Sequence, residues 1–175
     1  MKIRLKLDQE YHLIDPKFYN KKGRYLFQSL LAASALFIIL LVGVEIADGA
    51  IIAGIAGSTA LIFFAPKSYA SSTRRIVGGH TLAVIVTLVM FNIFSLFTDI
   101  TVASNFVLYL YSSLALATLI LFEGILNCEH APSAGCLLGL TISGINLDAI
   151  IFIILSALIL SLLRLLLFNW IKNII

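Results

Sequence analysis

The sequence predicts an all-α protein, a polytopic bundle of membrane helices built from six segments. Two observations lead to this fold class. Of the 175 residues, 61% are hydrophobic and 12% are charged, whereas an ordinary soluble domain carries about 25% charged residues. Short polar breaks also divide the chain into apolar runs, most of them long enough to cross a bilayer as a helix. A water-soluble fold could not cover this much apolar surface.

The apolar runs define the six predicted segments. A membrane-spanning helix needs roughly 17–25 apolar residues, and four of the runs reach that length. The second and fifth runs are shorter and rich in Gly, Ala and Ser. The six segments cover residues 26–46, 50–65, 76–97, 106–126, 131–145 and 149–170.

The chain divides into a polar N-terminal segment, residues 1–25, and a transmembrane domain, residues 26–175. In the N-terminal segment, basic residues alternate with Ile3, Leu5 and Leu7, a pattern typical of a strand-like or interfacial segment. The basic residues of the chain gather at the ends of the apolar runs. That distribution indicates membrane topology, and we expect no binding of nucleic acid.

Lysine and arginine predict the orientation of the bundle. They precede the first segment, lie between the second and third, and follow the last as Lys172, while the intervening breaks at 48–49, 99–105 and 146–148 carry none. Six crossings with both termini in the cytoplasm satisfy the positive-inside rule, and we expect an integral protein of the plasma (inner) membrane. In the alternative topology, the fifth segment is re-entrant and the C-terminus lies outside.

The two short segments occupy matching positions, each the second in a group of three. Small residues recur in them at four-residue spacing, which lets helix backbones approach closely. These residues are Ala50, Gly54 and Ser58 in one half and Gly135, Gly139 and Ser143 in the other. The pattern predicts a 3+3 inverted repeat with two short or re-entrant helices. Short or interrupted helices in such positions indicate a binding site near the membrane midplane.

A basic, hydroxyl-rich loop follows the second segment. It contains Lys67, Ser68, Ser71, Ser72, Thr73, Arg74 and Arg75. A small oxyanion can be bound by the paired N–H groups of an arginine side chain, by hydroxyls and by the amides at a helix N-terminus. The alternative is an ordinary cytoplasmic loop whose charges only set the topology.

Two ionisable residues stand inside predicted segments. His80 lies near the start of the third segment, where it could bind a backbone carbonyl or titrate near neutral pH and couple protons to transport. Glu123 lies near the inner end of the fourth segment. Ionisable side chains within membrane helices are costly and usually functional.

A metal site and an enzymatic site both have little support in the sequence. Cys128, Glu129, His130 and Cys136 lie close together, but they lack the Cys-x₂₋₄-Cys spacing typical of zinc sites. The chain has no nucleophile elbow, phosphate-binding loop or paired carboxylates within the segments. We therefore expect no metal, no cofactor and no enzymatic activity.

Residues 26–170 resemble the HPP family of integral membrane proteins. The run GSTALIFFAP, the following serine and the run RRIVGGH are similar to that family's first signature. Ser58, Pro66, Ser68, Arg74, Gly78, Gly79 and His80 carry this resemblance. The family's His-Pro-Pro signature falls on His130-Ala131-Pro132, with alanine at the first proline. The resemblance implies movement of a nitrite-like anion across a membrane.

These observations together predict a transporter or channel for a small inorganic anion, acting as a homo-oligomer in the lipid bilayer. The candidate substrate-binding residues are Ser58, Thr59, Ser68, Arg74, His80, His130, Pro132 and Ser133. We expect the hydroxyl-bearing ends of the two short segments to line one polar cavity, with His80 and His130 at its cytoplasmic rim. The alternative function is a non-transporting scaffold or sensor whose basic loop binds anionic lipid or a partner.

Overall fold

The computed structural model describes residues 18–43, 45–100 and 104–174. These residues form six α-helices and one 3₁₀ turn, and they contain no strand, so the predicted all-α, polytopic bundle is confirmed. The elements are α1 Phe18–Gly43, α2 Gly49–Phe64, the 3₁₀ turn Tyr69–Ser71, α3 Thr73–Ser95, α4 Asn105–Ile125, α5 Ser133–Ile142 and α6 Leu147–Leu167.

Helix α1 begins earlier than the first predicted segment. It starts at Phe18, so part of the predicted polar segment 1–25 is helical, and the helix is broken at Lys21, where φ is −132° and ψ is 19°. The predicted interfacial pattern at residues 3–7 lies outside the described residues.

Four helices are long and apolar enough to cross a membrane, and two are not. The long ones, α1, α3, α4 and α6, have 26, 23, 21 and 21 residues. Helix α2 has 16 residues and α5 has 10. At a rise of about 1.5 Å per residue, α5 extends about 15 Å, roughly half of the hydrocarbon thickness. The expectation that the second and fifth segments are short helices is therefore confirmed.

The two short helices pack against each other in antiparallel orientation at the centre of the bundle. A Cβ atom on Gly135 would lie 2.9 Å from the Gly54 Cα, and one on Gly139 would lie 3.0 Å from the Ile51 nitrogen. The long helices surround this pair: α1 and α6 pack on α2, while α3 and α4 pack on α5. The short helices are thereby shielded from lipid over most of their surface, as a helix too short for the bilayer requires.

Helices α2 and α6 run in the same direction. The carboxylate of Asp48, at the start of α2, accepts a hydrogen bond from Ser143, which shortly precedes α6. At the opposite ends, Arg164 of α6 donates through Nε to the Pro66 carbonyl oxygen, which follows α2, at 2.9 Å. We call this second end of the bundle, where α2, α4 and α6 end and α3 and α5 begin, the basic end.

The basic end of α2 is held by distant donors. Pro66 ends the helix, so the last carbonyl groups of α2 need partners from elsewhere. Gln28 of α1 donates to the Phe63 carbonyl at 2.5 Å, and the amide of Ile174 donates to the Phe64 carbonyl at 2.9 Å. Gln28 also donates to the Lys172 carbonyl at 3.0 Å, so the chain after α6 is tied to α1 as well as to α2.

Candidate functional site

Three side chains from different parts of the chain meet inside the bundle. Ser58 Oγ of α2 lies 2.9 Å from His130 Nε2 in the α4–α5 loop and 3.4 Å from His80 Nε2 of α3. The two imidazole rings are 5.0 Å apart, and all three side chains are buried. We call these residues the Ser58–His80–His130 cluster.

The cluster follows from the glycine contact between the short helices. Because Gly54 meets Gly135 in an antiparallel pair, Ser58, one turn beyond Gly54, comes level with the residues that precede α5. Pro132 is at this level too, and a Cβ atom on Gly57 would lie 3.4 Å from the Pro132 Cβ. The small-residue spacing thus brings Ser58 to His130.

The hydrogen-bond partners assign one proton of the cluster. His80 Nδ1 lies 2.8 Å from the Ile76 carbonyl oxygen, so in the neutral ring Nδ1–H donates and Nε2 is an acceptor. The Ser58 hydroxyl lies 3.2 Å from the Gly54 carbonyl oxygen and 2.9 Å from His130 Nε2. The His130 ring also has the Ala70 backbone carbonyl as a partner, so the donor in the Ser58–His130 pair depends on the tautomer of His130.

The Glu123 carboxyl group lies beside the cluster at the start of α5. Ser133 Oγ donates to Glu123 Oε1 at 2.7 Å, and the His130 amide donates to Glu123 Oε2 at 3.3 Å. Glu123 is buried, and a helix N-terminus favours a negative charge. The Glu123 side chain therefore links Ser133 to His130.

Gly79 allows α3 to approach this network. A Cβ atom there would lie 2.6 Å from the His130 Cβ and 2.9 Å from Glu123 Oε1. Any larger residue would push α3 away from the α4–α5 loop. The glycine that was singled out by its motif therefore has a packing role at the site.

The other predicted site residues lie apart from this network. Thr59 is buried and its hydroxyl donates to the Ile55 carbonyl at 3.0 Å. Ser68 Oγ lies 3.1 Å from Ser71 Oγ in the loop after α2. Arg74 is exposed and donates through Nη2 to the Leu126 carbonyl at 2.9 Å. The structure thus joins Ser58, His80, His130 and Ser133, but not these three.

Three cavities lie elsewhere in the bundle. One of about 680 Å³ lies beyond the end of α5, lined in part by Tyr111 and Thr141, and one of about 230 Å³ lies beside Gln28. A third, of about 340 Å³, is lined in part by Arg74 and Cys128. Ser58, His80, His130 and Ser133 line none of the three. The cluster is closed and tightly packed, and the polar cavity expected between the short helices is not among these cavities.

The cysteines and their neighbours form no metal site in the described part of the chain. Cys128 and Cys136 are buried free thiols. Among residues 18–43, 45–100 and 104–174, no three His, Cys, Asp or Glu side chains converge in a way that could hold a metal ion.

The sequence interpretation missed the buried position of Arg75. Arg74 was named as a candidate substrate-binding residue, whereas Arg75 is the side chain that turns inward and is only 2% exposed. The signal was present, because Arg75, Gly79 and Ala83 recur at four-residue spacing and therefore share one face of α3. All three are buried.

Comparison with known proteins identifies the family. The family described as HPP, transmembrane region, matches residues 20–175, which is nearly the whole chain. This protein belongs to that family, as the resemblance of the two signatures predicted. The chain matches no curated protein and no solved structure at a significant level.

Proposed function

We propose that this membrane protein moves a small inorganic anion across the bilayer, as a transporter or channel, through a path that includes the Ser58–His80–His130 cluster. The observation that carries the proposal is the convergence of two imidazoles on one buried hydroxyl, at 2.9 and 3.4 Å. Polar and ionisable groups inside a membrane protein are costly, and they usually mark the route of an ion or substrate.

The donors around the cluster suit an anion. The Ser133 hydroxyl and the His130 amide already bind the two carboxyl oxygens of Glu123 at the start of α5. A small oxyanion has the same acceptor oxygens, and a helix N-terminus favours its charge. Nitrite is an anion of this size and shape, and it is the substrate that the family resemblance implies.

The proposal also covers the membrane, the orientation and the oligomeric state of the protein. It acts in the plasma (inner) membrane with both termini in the cytoplasm, because the basic residues gather at one end of the bundle. It functions as a homo-oligomer, and it has no enzymatic activity. The large apolar side chains exposed on α1, among them Phe37 and Leu41, would contact lipid or a second copy.

A non-transporting scaffold or sensor is the second candidate function. The tight packing of the cluster favours it, because a transport path needs space for its substrate. The groove of about 340 Å³ beside Arg74 also offers a basic side chain at the membrane border, where an anionic lipid headgroup would bind.

Uptake into proteoliposomes separates the two functions. The purified protein is reconstituted, and influx of nitrite, nitrate, formate and chloride is measured against protein-free liposomes. We expect influx of at least one of these anions, and we expect Ser58→Ala and His130→Gln to lower the initial rate about tenfold, the effect of losing about 1.4 kcal/mol.

Ser34→Ala is the matched control. Ser34 donates to the carbonyl four residues earlier, that of Leu30, as Ser58 does to Gly54, but it is exposed on α1. This variant should transport at the parental rate. Parental uptake by Ser58→Ala and His130→Gln would remove the cluster from the path, and no influx of any anion would leave the scaffold as the better function.

A further inference from the structure

The loops at the basic end of the bundle are joined directly below the cluster. Arg75, at the start of α3, forms an ion pair through Nη2 with Glu129 Oε2 at 2.6 Å and donates to Asn127 Oδ1 at 2.5 Å. The Tyr69 ring stacks on the same guanidinium, with 3.0 Å between Arg75 Cζ and the ring centroid. The Tyr69 hydroxyl also donates to Asn127. We call these four residues the Arg75 latch.

The latch joins the two halves of the chain. Tyr69 and Arg75 come from the loop and helix that follow α2, whereas Asn127 and Glu129 come from the loop that precedes α5. Each of the two loops also leads to a member of the cluster: Arg75 is five residues before His80, and Glu129 is next to His130. Five helical residues rise about 7.5 Å, so the latch lies one layer below the cluster, nearer the basic end.

The other end of the bundle is recessed. Because α5 has only 10 residues, it stops well inside the bundle, and the cavity of about 680 Å³ lies beyond its last turn. Polar groups of Asn92, Tyr111, Thr141 and Ser143 line part of this cavity. The recess and the cluster therefore lie at opposite ends of α5, about 15 Å apart along the helix, and the latch covers the cluster on the side of the basic end.

We propose that the Arg75 latch is the gate between the cluster and the basic end, and that a small anion opens it by replacing Glu129 on Arg75. The inference rests on the proposed function, since it assigns the gate of the same anion path. It also assigns Arg75, rather than Arg74, as the arginine that the anion meets.

The unequal burial of the partners supports this role. Arg75 is 2% exposed, so its guanidinium needs an anionic or polar partner at all times. Glu129 is 53% exposed and Tyr69 is 66% exposed, so both can move into water at little cost. A small oxyanion presents the same pair of oxygens to an arginine fork as a carboxylate does. Exchange of one for the other would remove the Glu129 attachment of the α4–α5 loop while Arg75 stays paired.

Thiol accessibility tests the gate without measuring transport. In a Cys128→Ala/Cys136→Ala background, Ser58→Cys places a reporter thiol in the cluster. A small, membrane-impermeant thiosulfonate is then applied to reconstituted protein from each side in turn, and the labelling rate is measured by mass spectrometry. We expect slow labelling from the basic end in the reporter protein.

Opening the latch should expose the reporter. Arg75→Gln and Glu129→Gln should each raise the labelling rate from the basic end about tenfold or more, because a charged hydrogen-bonded pair is lost. The reversed pair Arg75→Glu/Glu129→Arg should restore slow labelling. Nitrite added to the reporter protein should also raise the rate, and sodium gluconate at equal ionic strength should not.

Lys67→Gln is the control, since it removes a basic charge from the same loop without touching the latch; its ammonium lies over the Phe168 ring. Unchanged labelling in both Arg75→Gln and Glu129→Gln, or an equal rise in Lys67→Gln, would refute the gate. If Arg75→Gln does not fold, Glu129→Gln and Tyr69→Leu decide, because both residues are largely exposed.

The two proposals fail in different ways. If an anion enters the liposomes but the labelling rate is the same in the latch variants as in the reporter protein, the proposed function stands and the gate is wrong. Latch-dependent labelling that nitrite does not change, together with no influx, would overturn the anion's role while leaving a closed access path at the basic end.

Discussion

Gly54 of α2 and Gly135 of α5 meet backbone to backbone, with only 2.9 Å between the Gly54 Cα and the position that a Cβ atom on Gly135 would take. This contact fixes both the distance and the register of the two short helices. The register in turn brings Ser58 to His130, so the geometry of the candidate site depends on two positions that carry no side chain.

We predict that Gly54→Ala destabilises the protein by about 1–3 kcal/mol, the usual cost of overpacking a core. The added Cβ would lie 2.7 Å from the Pro132 carbonyl oxygen and 3.0 Å from the Cys136 nitrogen, and these backbone atoms cannot rotate away. Thermal unfolding in detergent, followed by circular dichroism, measures the change.

Gly124→Ala is the control for this substitution. Gly124 is also helical, in α4, but a Cβ atom there meets nothing within 4 Å. Alanine is favoured over glycine in helices by about 1 kcal/mol, so this variant should be as stable as the parent or more stable. Equal melting temperatures for the two variants would mean that α2 and α5 are not as close as described.

A second prediction concerns Gln28, which is fully buried and ties α1 to two other parts of the chain. Its amide nitrogen donates to the carbonyls of Phe63 and Lys172, and its oxygen accepts from the Lys172 amide at 3.0 Å. Gln28→Leu leaves these backbone groups without a partner, and we expect it to lower the unfolding free energy by about 2 kcal/mol or more.

Hydrogen exchange localises the effect of that substitution. The amides of residues 171–174 should exchange faster in Gln28→Leu, because the chain after α6 loses its attachment. Ser29→Ala, at the exposed neighbouring position, should leave both stability and exchange unchanged. Protected amides at 171–174 in Gln28→Leu would show that other contacts hold this segment.

The bundle and its short helices were predictable from local composition. Four runs of sufficient length predicted α1, α3, α4 and α6, and the small residues around Gly54 and Gly135 predicted that α2 and α5 approach closely. The gathering of Ser58, His80 and His130 was predicted only as a shared region. Their contacts span up to 72 residues, and the helix register that sets them is a tertiary property.

The sequence could not predict which of the two arginines, Arg74 or Arg75, is buried. Neighbouring residues on a helix point about 100° apart, so one of the two faces outward and the other inward. Sequence motifs selected Arg74, whereas the structure buries Arg75 and leaves Arg74 exposed. The choice depends on how α3 is rotated against the α4–α5 loop, which Gly79 permits through its contact with His130.

A third prediction concerns pH and the N-terminus of α2. Asp48 caps this helix by accepting from the Ala50 amide at 2.8 Å, and this bond, followed by the one from Ser143, holds the pKa of the carboxyl below its usual 3.8. Because the folded-state pKa is depressed, the stabilisation is complete above the unfolded pKa. It is lost as the pH falls below 3.8 through the folded pKa.

Two substitutions test the cap. Asp48→Ala should lower the unfolding free energy by about 1 kcal/mol at pH 7, and Asp48→Asn by much less, because asparagine is an equally good N-cap. The difference in stability between the parent and Asp48→Asn should shrink as the pH falls below 3.8. A parental melting temperature for Asp48→Ala at pH 7 would show that the cap contributes nothing.

The last prediction concerns topology, and it depends on how the second half of the chain returns. Arg74 contacts the Leu126 carbonyl, so α4 ends where α3 begins, and Asn105 lies at the far end of the bundle. The amide of Lys67 donates to Asn173, so Lys172 lies at the basic end. Single cysteines at Asn105 and Lys172 should therefore react with an impermeant maleimide from opposite sides of the membrane. The basic residues predict that Lys172 is the cytoplasmic one. Labelling of both from one side would mean that α5 and its flanking loops do not complete a crossing, and the six-crossing arrangement would be wrong.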